Sequence, residues 1–137
     1  MYVVKRDGRR ELVQFDKITA RIKKLCYSLH ESVDPQRIAM RVIEGVYDGV
    51  TTTELDNLAA EVAATSAVTH PDYASLASRI AVSNLHKATK KSFAETIDEL
   101  YNYVDPVTGD PASLIAEDVH EIIQENAEYL DSQIIYD

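Results

Sequence analysis

The stretch that most constrains this chain is Val3 to Lys24, VVKRDGRRELVQFDKITARIKK. Asp7-Gly8 between two short runs is a strong hairpin signal, because glycine takes the positive φ that a primed turn needs. The pattern predicts two short strands, a tight turn and a helix entered through Asp16 as its N-cap. Lys5 and Arg6 leave the first strand, Glu11 opens the second, and Lys17 falls in the first helical turn. A helix N-terminus exposes backbone N–H groups and carries the positive end of the dipole, so it favours an anion. A basic hairpin beside such a terminus makes a phosphate cradle. The plainer reading is a solvated basic hairpin, and pattern alone leaves both open.

Charge narrows the partners. The chain has 137 residues and a formal charge of −9, which suits one small domain or one domain and the beginning of another. The charge is unevenly spread. Residues 1–24 hold eight Lys/Arg against three Asp/Glu, residues 25–91 six against eight, and residues 92–137 none against twelve. A local basic patch on an acidic chain fits a small polyanion better than a duplex, whose backbone needs many contacts. No long apolar run, signal-peptide pattern or zinc spacing occurs. The single Cys26 excludes an internal disulfide and fits a reducing compartment.

Beyond the hairpin the pattern is helical. Ile18, Ile22, Leu25 and Leu29 form one stripe over about Lys17 to Leu29. Asp34-Pro35 is an N-cap with Pro at the first helical position, and Ile38, Val42 and Val46 follow up to Gly49. Thr51 and Glu54 have capping-box spacing ahead of Leu55, Leu58, Ala59, Val62 and Ala63. After His70-Pro71-Asp72 a fourth helix, about Asp72 to Thr89, carries Tyr73, Leu76, Ala77, Ile80 and Ala81 on one face. The expected fold is mainly α with a small β cap, an N-terminal β-hairpin over a four-helix bundle.

The remainder reads as a separate start. Ser92 and Glu95 are another capping pair, followed by Phe93, Ile97, Leu100 and Val104. Asp105-Pro106 and Gly109-Asp110-Pro111 form a turn-rich break. A sixth helix is expected over about Ala112 to Tyr129, and the chain stops in an apolar extended segment, Ile134 to Asp137. Residues from about 92 onward are therefore expected to open a second domain whose body is missing.

Little here points to bond-making chemistry. Neither common glycine-rich phosphate loop is present. His30, His70, His86 and His120 are scattered, without metal spacing, and surface or capping roles are expected for them. Glu117, Glu121, Glu125 and Glu128 read as the wet face of the sixth helix. Lys87, Lys90 and Lys91 lie at i, i+3 and i+4 near the end of the fourth helix, where they offset its negative terminus. The sharper alternative is that Lys87 and Lys91, or Lys87 and Lys90, face Lys5 and Arg6 across a shared anion.

Three blocks carry a family likeness: VVKRDGRRELVQFDKI, VTTTELDNLAAEVAA and HPDYASLASRIAVSNLHKATKKSF. In this order they resemble the start of the large subunit of class I ribonucleoside-diphosphate reductase, most nearly the eukaryotic type. The likeness covers the whole chain, with a small length change near residues 30–34. It implies that residues 1–91 are an ATP-cone, a small sheet capping a four-helix bundle. Residues 92–137 would be the first helices of the catalytic subunit's N-terminal helical region. The resemblance further implies an allosteric segment that binds ATP as activator or dATP as inhibitor, with Mg2+. Its effect would be on the activity and oligomeric state of an oxidoreductase that makes deoxyribonucleotides for DNA replication.

The matching positions are Lys5, Arg6, the run Glu11, Leu12, Val13, Gln14, Phe15, Asp16 and Lys17, then Thr52, Asp56, Lys87 and Lys90. By this likeness Lys5, Arg6, Lys17 and Lys87 hold phosphates, with charge-assisted bonds of about 1.5–3 kcal/mol each. Several together suffice for micromolar binding, about −8 kcal/mol. Glu11 would read the adenine edge, and Thr52 would lie near sugar and phosphates. Asp56 would sense the 2′ position. Implied partners are adenine nucleotides, other copies of the large subunit (a dimer, and a hexamer with dATP) and, through the full-length protein, the small radical-generating subunit. Nucleic acid and membrane are not among them, and the expected compartment is the cytoplasm. The segment alone lacks the catalytic cysteines and should be inactive. Cones also occur in bacterial repressors, but behind a four-cysteine zinc ribbon that Cys26 alone cannot supply. The remaining alternative is a nucleotide-independent helical interaction module.

Overall fold

The structure is a computed structural model that describes residues 1–135. It divides into two compact units, Met1–Leu85 and His86–Asp137.

In the first unit β1 (Tyr2–Val4) and β2 (Arg10–Leu12) pair antiparallel, with Val3 opposite Glu11. The turn between them closes through Lys5 N–H to the Arg9 carbonyl, 2.8 Å, and Gly8 N–H to the Lys5 carbonyl, 2.9 Å. Gly8 sits at φ +84°, a conformation that an L side chain resists. A third strand, β3 (Val50–Thr51), lies parallel to β1 and makes the order β2-β1-β3. Sequence pattern did not reveal it, because two residues cannot show an alternation. Its register depends on distant partners: Gly49 N–H donates to the Tyr2 carbonyl, 2.8 Å, and Tyr2 N–H to Asp48 Oδ1, 2.6 Å.

Helix α1 runs Phe15–Lys24, and here two expectations are corrected. Asp16 is not the N-cap. The cap is Gln14, extended at φ −119° and ψ 102° without a side-chain bond, and Asp16 lies inside the first turn. Its charge still complements the helix dipole there. The helix also stops short of Leu29. Arg79 Nη1 donates to the carbonyls of Leu25, 2.9 Å, and Tyr27, 2.6 Å, and its guanidinium lies 3.9 Å from the Tyr27 ring centre. Those carbonyls turn to α4 instead of continuing the helix, yet Leu25 and Leu29 still pack on the core.

Helix α2 (Pro35–Glu44) begins as expected, with Asp34 Oδ1 accepting from Gln36 N–H at 2.9 Å. It ends at Gly45, so Val46 lies outside it. A Cβ at Gly45 would stand 2.7 Å from Leu58 Cδ2, so the bare backbone lets α2 end against α3. Helix α3 (Thr52–Thr65) carries the full capping box: Thr51 Oγ1 accepts from Glu54 N–H at 3.1 Å, and Glu54 Oε2 accepts from Thr51 N–H at 2.8 Å. A 3-10 turn over Ser66–Val68 leads to α4 (Asp72–Ala88). Lys90 and Lys91 therefore lie beyond the end of that helix.

The core of this unit is one cluster built on Ile22, Ile38, Val42, Tyr73, Leu76 and Ile80. The small buried Ala59 and Ala63 let α3 approach it. Tyr73 is buried with its hydroxyl satisfied, donating to the Ser32 carbonyl at 3.3 Å and accepting from Asp34 N–H at 3.0 Å. His30 and His70 stack at 4.6 Å, and their Nδ1 atoms accept from Ser32 and Asp72 N–H. His70 thus caps α4, while His30 braces the loop before α2. Cys26 donates to the Ile22 carbonyl, and burial pushes its thiol up, away from the reactive thiolate.

In the second unit α5 (Phe93–Tyr101) starts at Ser92, whose Oγ accepts from Glu95 N–H at 3.2 Å. The expected single sixth helix is corrected to two, α6 (Glu117–Glu125) and α7 (Ala127–Gln133). Residues near Ala112 are taken by an antiparallel bridge of Val104 with Pro111 and by Ala112 N–H to the Tyr103 carbonyl, so Val104 also leaves the α5 stripe. Asn126, at φ −109° and ψ 21°, breaks the helix and donates its side-chain amide to the Ile122 carbonyl. Ala94, Ile97 and Ile123 form a small core. His120 stacks on Tyr101 at 4.0 Å with Nε2 2.9 Å from Asp98 Oδ1. In the expected extended ending, Ile134 is extended (φ −96°, ψ 123°), whereas Tyr136 and Asp137 lie outside the described residues. Among the described residues no helix is long and apolar enough to cross a membrane.

Asp131 on α7 clasps the start of α5, accepting from Ser92 Oγ and Phe93 N–H at 2.8 Å and Ala94 N–H at 3.3 Å. The Ser92 hydroxyl foremost, then the backbone N–H groups of Ala94 and Phe93, hold its carboxyl below the ordinary carboxylate value despite partial desolvation. A group whose folded value is depressed adds stability above its unfolded value and loses it as pH falls through the folded one. As pH falls below the ordinary carboxylate value of about 4, Asp131→Asn is expected to show less loss of α5–α7 order than the wild type, read by amide exchange at Phe93 and Ala94. Identical acid profiles would remove the clasp.

Candidate functional site

The hairpin turn, α1, α3 and α4 meet in one polar cluster in the first unit. At its centre is Asp56, 6% exposed, on the same buried stripe of α3 as Ala59 and Ala63. A carboxylate out of water needs cationic partners. Arg21 Nε donates to Asp56 Oδ1 at 2.5 Å, and Arg6 Nη2 donates to Oδ2 at 3.4 Å. Arg6 Nη2 also donates to Asn84 Oδ1, and Asn84 Nδ2 donates to Asn57 Oδ1 at 2.7 Å. Arg21 Nη2 reaches Ser83 Oγ at 3.5 Å. Both arginine side chains are partly in solvent, Arg6 at 29% and Arg21 at 28% side-chain exposure.

A second, wetter set lies along the hairpin. Lys5 Nζ is 3.3 Å from Glu11 Oε2, and Arg9 Nη1 is 3.8 Å from Glu11 Oε1. Arg9 also donates to Asp7, through its backbone N–H at 3.0 Å and Nε at 2.6 Å, and these bonds lower the Asp7 carboxyl from its usual value. Exposed pairs of this kind contribute little to stability, because solvent and salt screen them. Their use is to keep several cations on one edge of the sheet.

Of the positions singled out from sequence, the structure joins Arg6 to Asp56 and Lys5 to Glu11. Leu12 is exposed, Val13 N–H donates to the Met1 carbonyl, and Gln14 caps α1. Phe15, Asp16 and Lys17 form the exposed first turn of α1, and Thr52 is the first residue of α3. Lys87, in the last turn of α4, and Lys90 belong to the second unit. Lys90 pairs there with Glu99, which raises its ammonium above the ordinary value.

Four members of the cluster were not foreseen: Arg21, Asn57, Ser83 and Asn84. A signal existed for two of them. Arg21 interrupts the apolar stripe of Ile18, Ile22 and Leu25, and Asn84 continues the Leu76–Ile80 stripe with an amide. A polar residue on a buried helix face needs a partner, and here the partner is shared.

The family described as ATP cone domain matches residues 1–88 of this chain. Over 138 aligned positions the chain is 61% identical to the ribonucleoside-diphosphate reductase large chain of Neurospora crassa. The identity is 62% to the large subunit of Arabidopsis thaliana and 58% to that of Danio rerio. In each case the whole chain is aligned, but it spans only 15–17% of the relative's length.

The geometry separates two kinds of residue. Asp56→Ala removes a buried carboxylate shared by two guanidiniums and is expected to lower unfolding stability by about 1–3 kcal/mol. Lys17→Ala, on the exposed first turn, should stay within about 0.5 kcal/mol. Urea unfolding followed by circular dichroism checks both, and equal midpoints for the two variants would contradict the arrangement.

Proposed function

The chain belongs to the ATP-cone family, and from that premise we propose that residues 1–91 are the adenine-nucleotide effector domain of a ribonucleotide reductase large subunit. Coarsely, this is a nucleotide-binding regulatory role. Residues 92–137 are read as the start of the catalytic subunit's helical region. The observation that carries the proposal is the meeting of Arg6, Arg21, Asp56 and Asn84 from four separate elements, with Lys5 and Glu11 beside them on the hairpin.

In this reading Lys5, Arg6 and Lys17 hold the triphosphate. Glu11 and the backbone of residues 12–16 face the adenine, and Thr52 and Asp56 face the sugar. ATP activates and dATP inhibits. The two differ by one hydroxyl, so a carboxylate at the sugar can accept from one ligand and not the other. An effector shifts an assembly equilibrium only by its differential affinity, typically about 1–3 kcal/mol. The equilibrium proposed is between an active dimer and an inhibited hexamer of large subunits, in a cytoplasmic enzyme that works with a small radical-generating subunit.

Among the described residues no group of three or more His, Cys, Asp or Glu lies together as a metal site. The Mg2+ in this reading would travel with the nucleotide's phosphates, whose charge it would partly neutralise. Reduction itself is assigned to the rest of the large subunit, since this chain has one cysteine, half-buried with its thiol pushed up.

Titration calorimetry of the chain with Mg2+ and ATP, dATP or GTP is expected to show micromolar binding of both adenine nucleotides and at least tenfold weaker GTP. Tenfold corresponds to about 1.4 kcal/mol. Equal GTP affinity removes the base-reading role of Glu11, and no binding of any nucleotide favours a helical interaction module. In the full-length enzyme, Asp56→Asn is expected to blunt inhibition by dATP while ATP activation persists. Undiminished inhibition would take Asp56 out of the sensing role.

A further inference from the structure

Arg6, Asn84 and Asn57 form a relay across three elements of the first unit. Arg6 Nη2, in the hairpin turn, donates to Asn84 Oδ1 on α4, and Asn84 Nδ2 donates to Asn57 Oδ1 on α3 at 2.7 Å. A carboxamide has one accepting end and one donating end. With its nitrogen on Asn57, Asn84 turns its oxygen to Arg6. The other contact of the same Nη2, with Asp56 Oδ2, is 3.4 Å, long for a hydrogen bond. Asn84 is half-buried, one helical turn beyond Ile80, on the helix that Tyr73, Leu76 and Ile80 anchor in the core. Arg6 is a long side chain leaving a tight turn, with many rotamers open to it. The flexible member is thus held by the fixed one.

We propose that Asn84 is a positioning residue for Arg6: it aims the guanidinium at the phosphates of a bound nucleotide, and Asn57 sets which end of the Asn84 amide Arg6 meets. The inference rests on the reading that this site takes a nucleoside triphosphate, with Arg6 among the groups that hold its phosphates. Neutrality is what suits a carboxamide to the task. A carboxylate in its place would pair with Arg6 and offset the charge that the phosphates need. The amide oxygen accepts the hydrogen bond and leaves that charge in full. The guanidinium has further N–H groups, on Nε and Nη1, for phosphate oxygens. Holding Arg6 in one direction beforehand also reduces the conformational entropy lost on binding. Asn84 needs no contact with the nucleotide to act in this way.

The test compares ATP affinity, by calorimetry with Mg2+, for the wild-type chain, Asn84→Ala, Asn57→Ala, Arg6→Ala and the double variants Asn84→Ala/Arg6→Ala and Asn57→Ala/Asn84→Ala. Asn84→Ala is expected to weaken ATP about fivefold to tenfold, and Asn57→Ala about threefold. In the Arg6→Ala background, Asn84→Ala should change affinity by less than about twofold, since Asn84 acts through that guanidinium. An equal loss with and without Arg6 overturns the proposal, because a merely structural role would not depend on Arg6. Unchanged affinity in Asn84→Ala overturns it as well. Asn57→Ala should likewise add less than about twofold once Asn84 is gone, and a full further loss contradicts the relay. Nitrogen-15 spectra of the guanidinium groups give a readout without nucleotide. The Arg6 Nη protons should exchange slowly in the wild type and faster in Asn57→Ala, although that change is one residue removed from Arg6. Wild-type Arg6 protons that exchange as fast as those of the exposed Arg41 overturn the proposal with no variant needed. Failure of the wild type to bind ATP removes the nucleotide reading itself, whereas wild-type binding with unaffected variants removes this inference alone.

Discussion

A buried carboxylate shared by two arginines is the constraint around which the first unit is arranged. Leaving Asp56 unpaired in its position would cost several kcal/mol, so the fold must bring cations to it. Arg21 comes from α1 and Arg6 from the hairpin, while α4 supplies Asn84 and Ser83 to hold the guanidiniums in turn. Replacing such a network by apolar groups is often neutral or stabilising in other proteins. Stability alone therefore does not account for its presence here.

The small sheet turns that requirement into geometry. β1 is clamped between β2, which sets the hairpin, and β3, which leads directly into the capping box of α3. Thr51 is both the last strand residue and the N-cap, so Asp56 follows one turn later at a fixed height. The register of Val3 opposite both Glu11 and Val50 then places the hairpin turn, with Arg6, at a set distance from α3. The cations of the hairpin and a carboxylate on a helix are tied through one shared strand.

Local chemistry was largely legible in the residues. Asp7-Gly8, Asp34-Pro35, Thr51 with Glu54, and Ser92 each act over three or four positions, and each holds its expected place. Two of the misreadings originate in partners beyond the helix concerned. The helix expected to reach Leu29 ends at Lys24, where Arg79 takes the next carbonyls. The helix expected from Ala112 starts at Glu117, because Pro111 bridges to Val104. Asp16 lost the capping role to Gln14, whose extended backbone continues the exit from β2.

The sequence by itself determined the starts of α2, α3, α4 and α5, the hairpin turn, the concentration of positive charge in the first residues and the likeness that names the family. These depend on backbone conformations and side-chain reach within one turn, which neighbouring residues settle. Only the tertiary structure decided that β3 exists, and that Arg21 and Asn84 join Arg6 at Asp56. The physical reason is that an ion pair is fixed by distance and burial. Residues separated by 35 or 78 positions in the chain acquire those only when the helices pack.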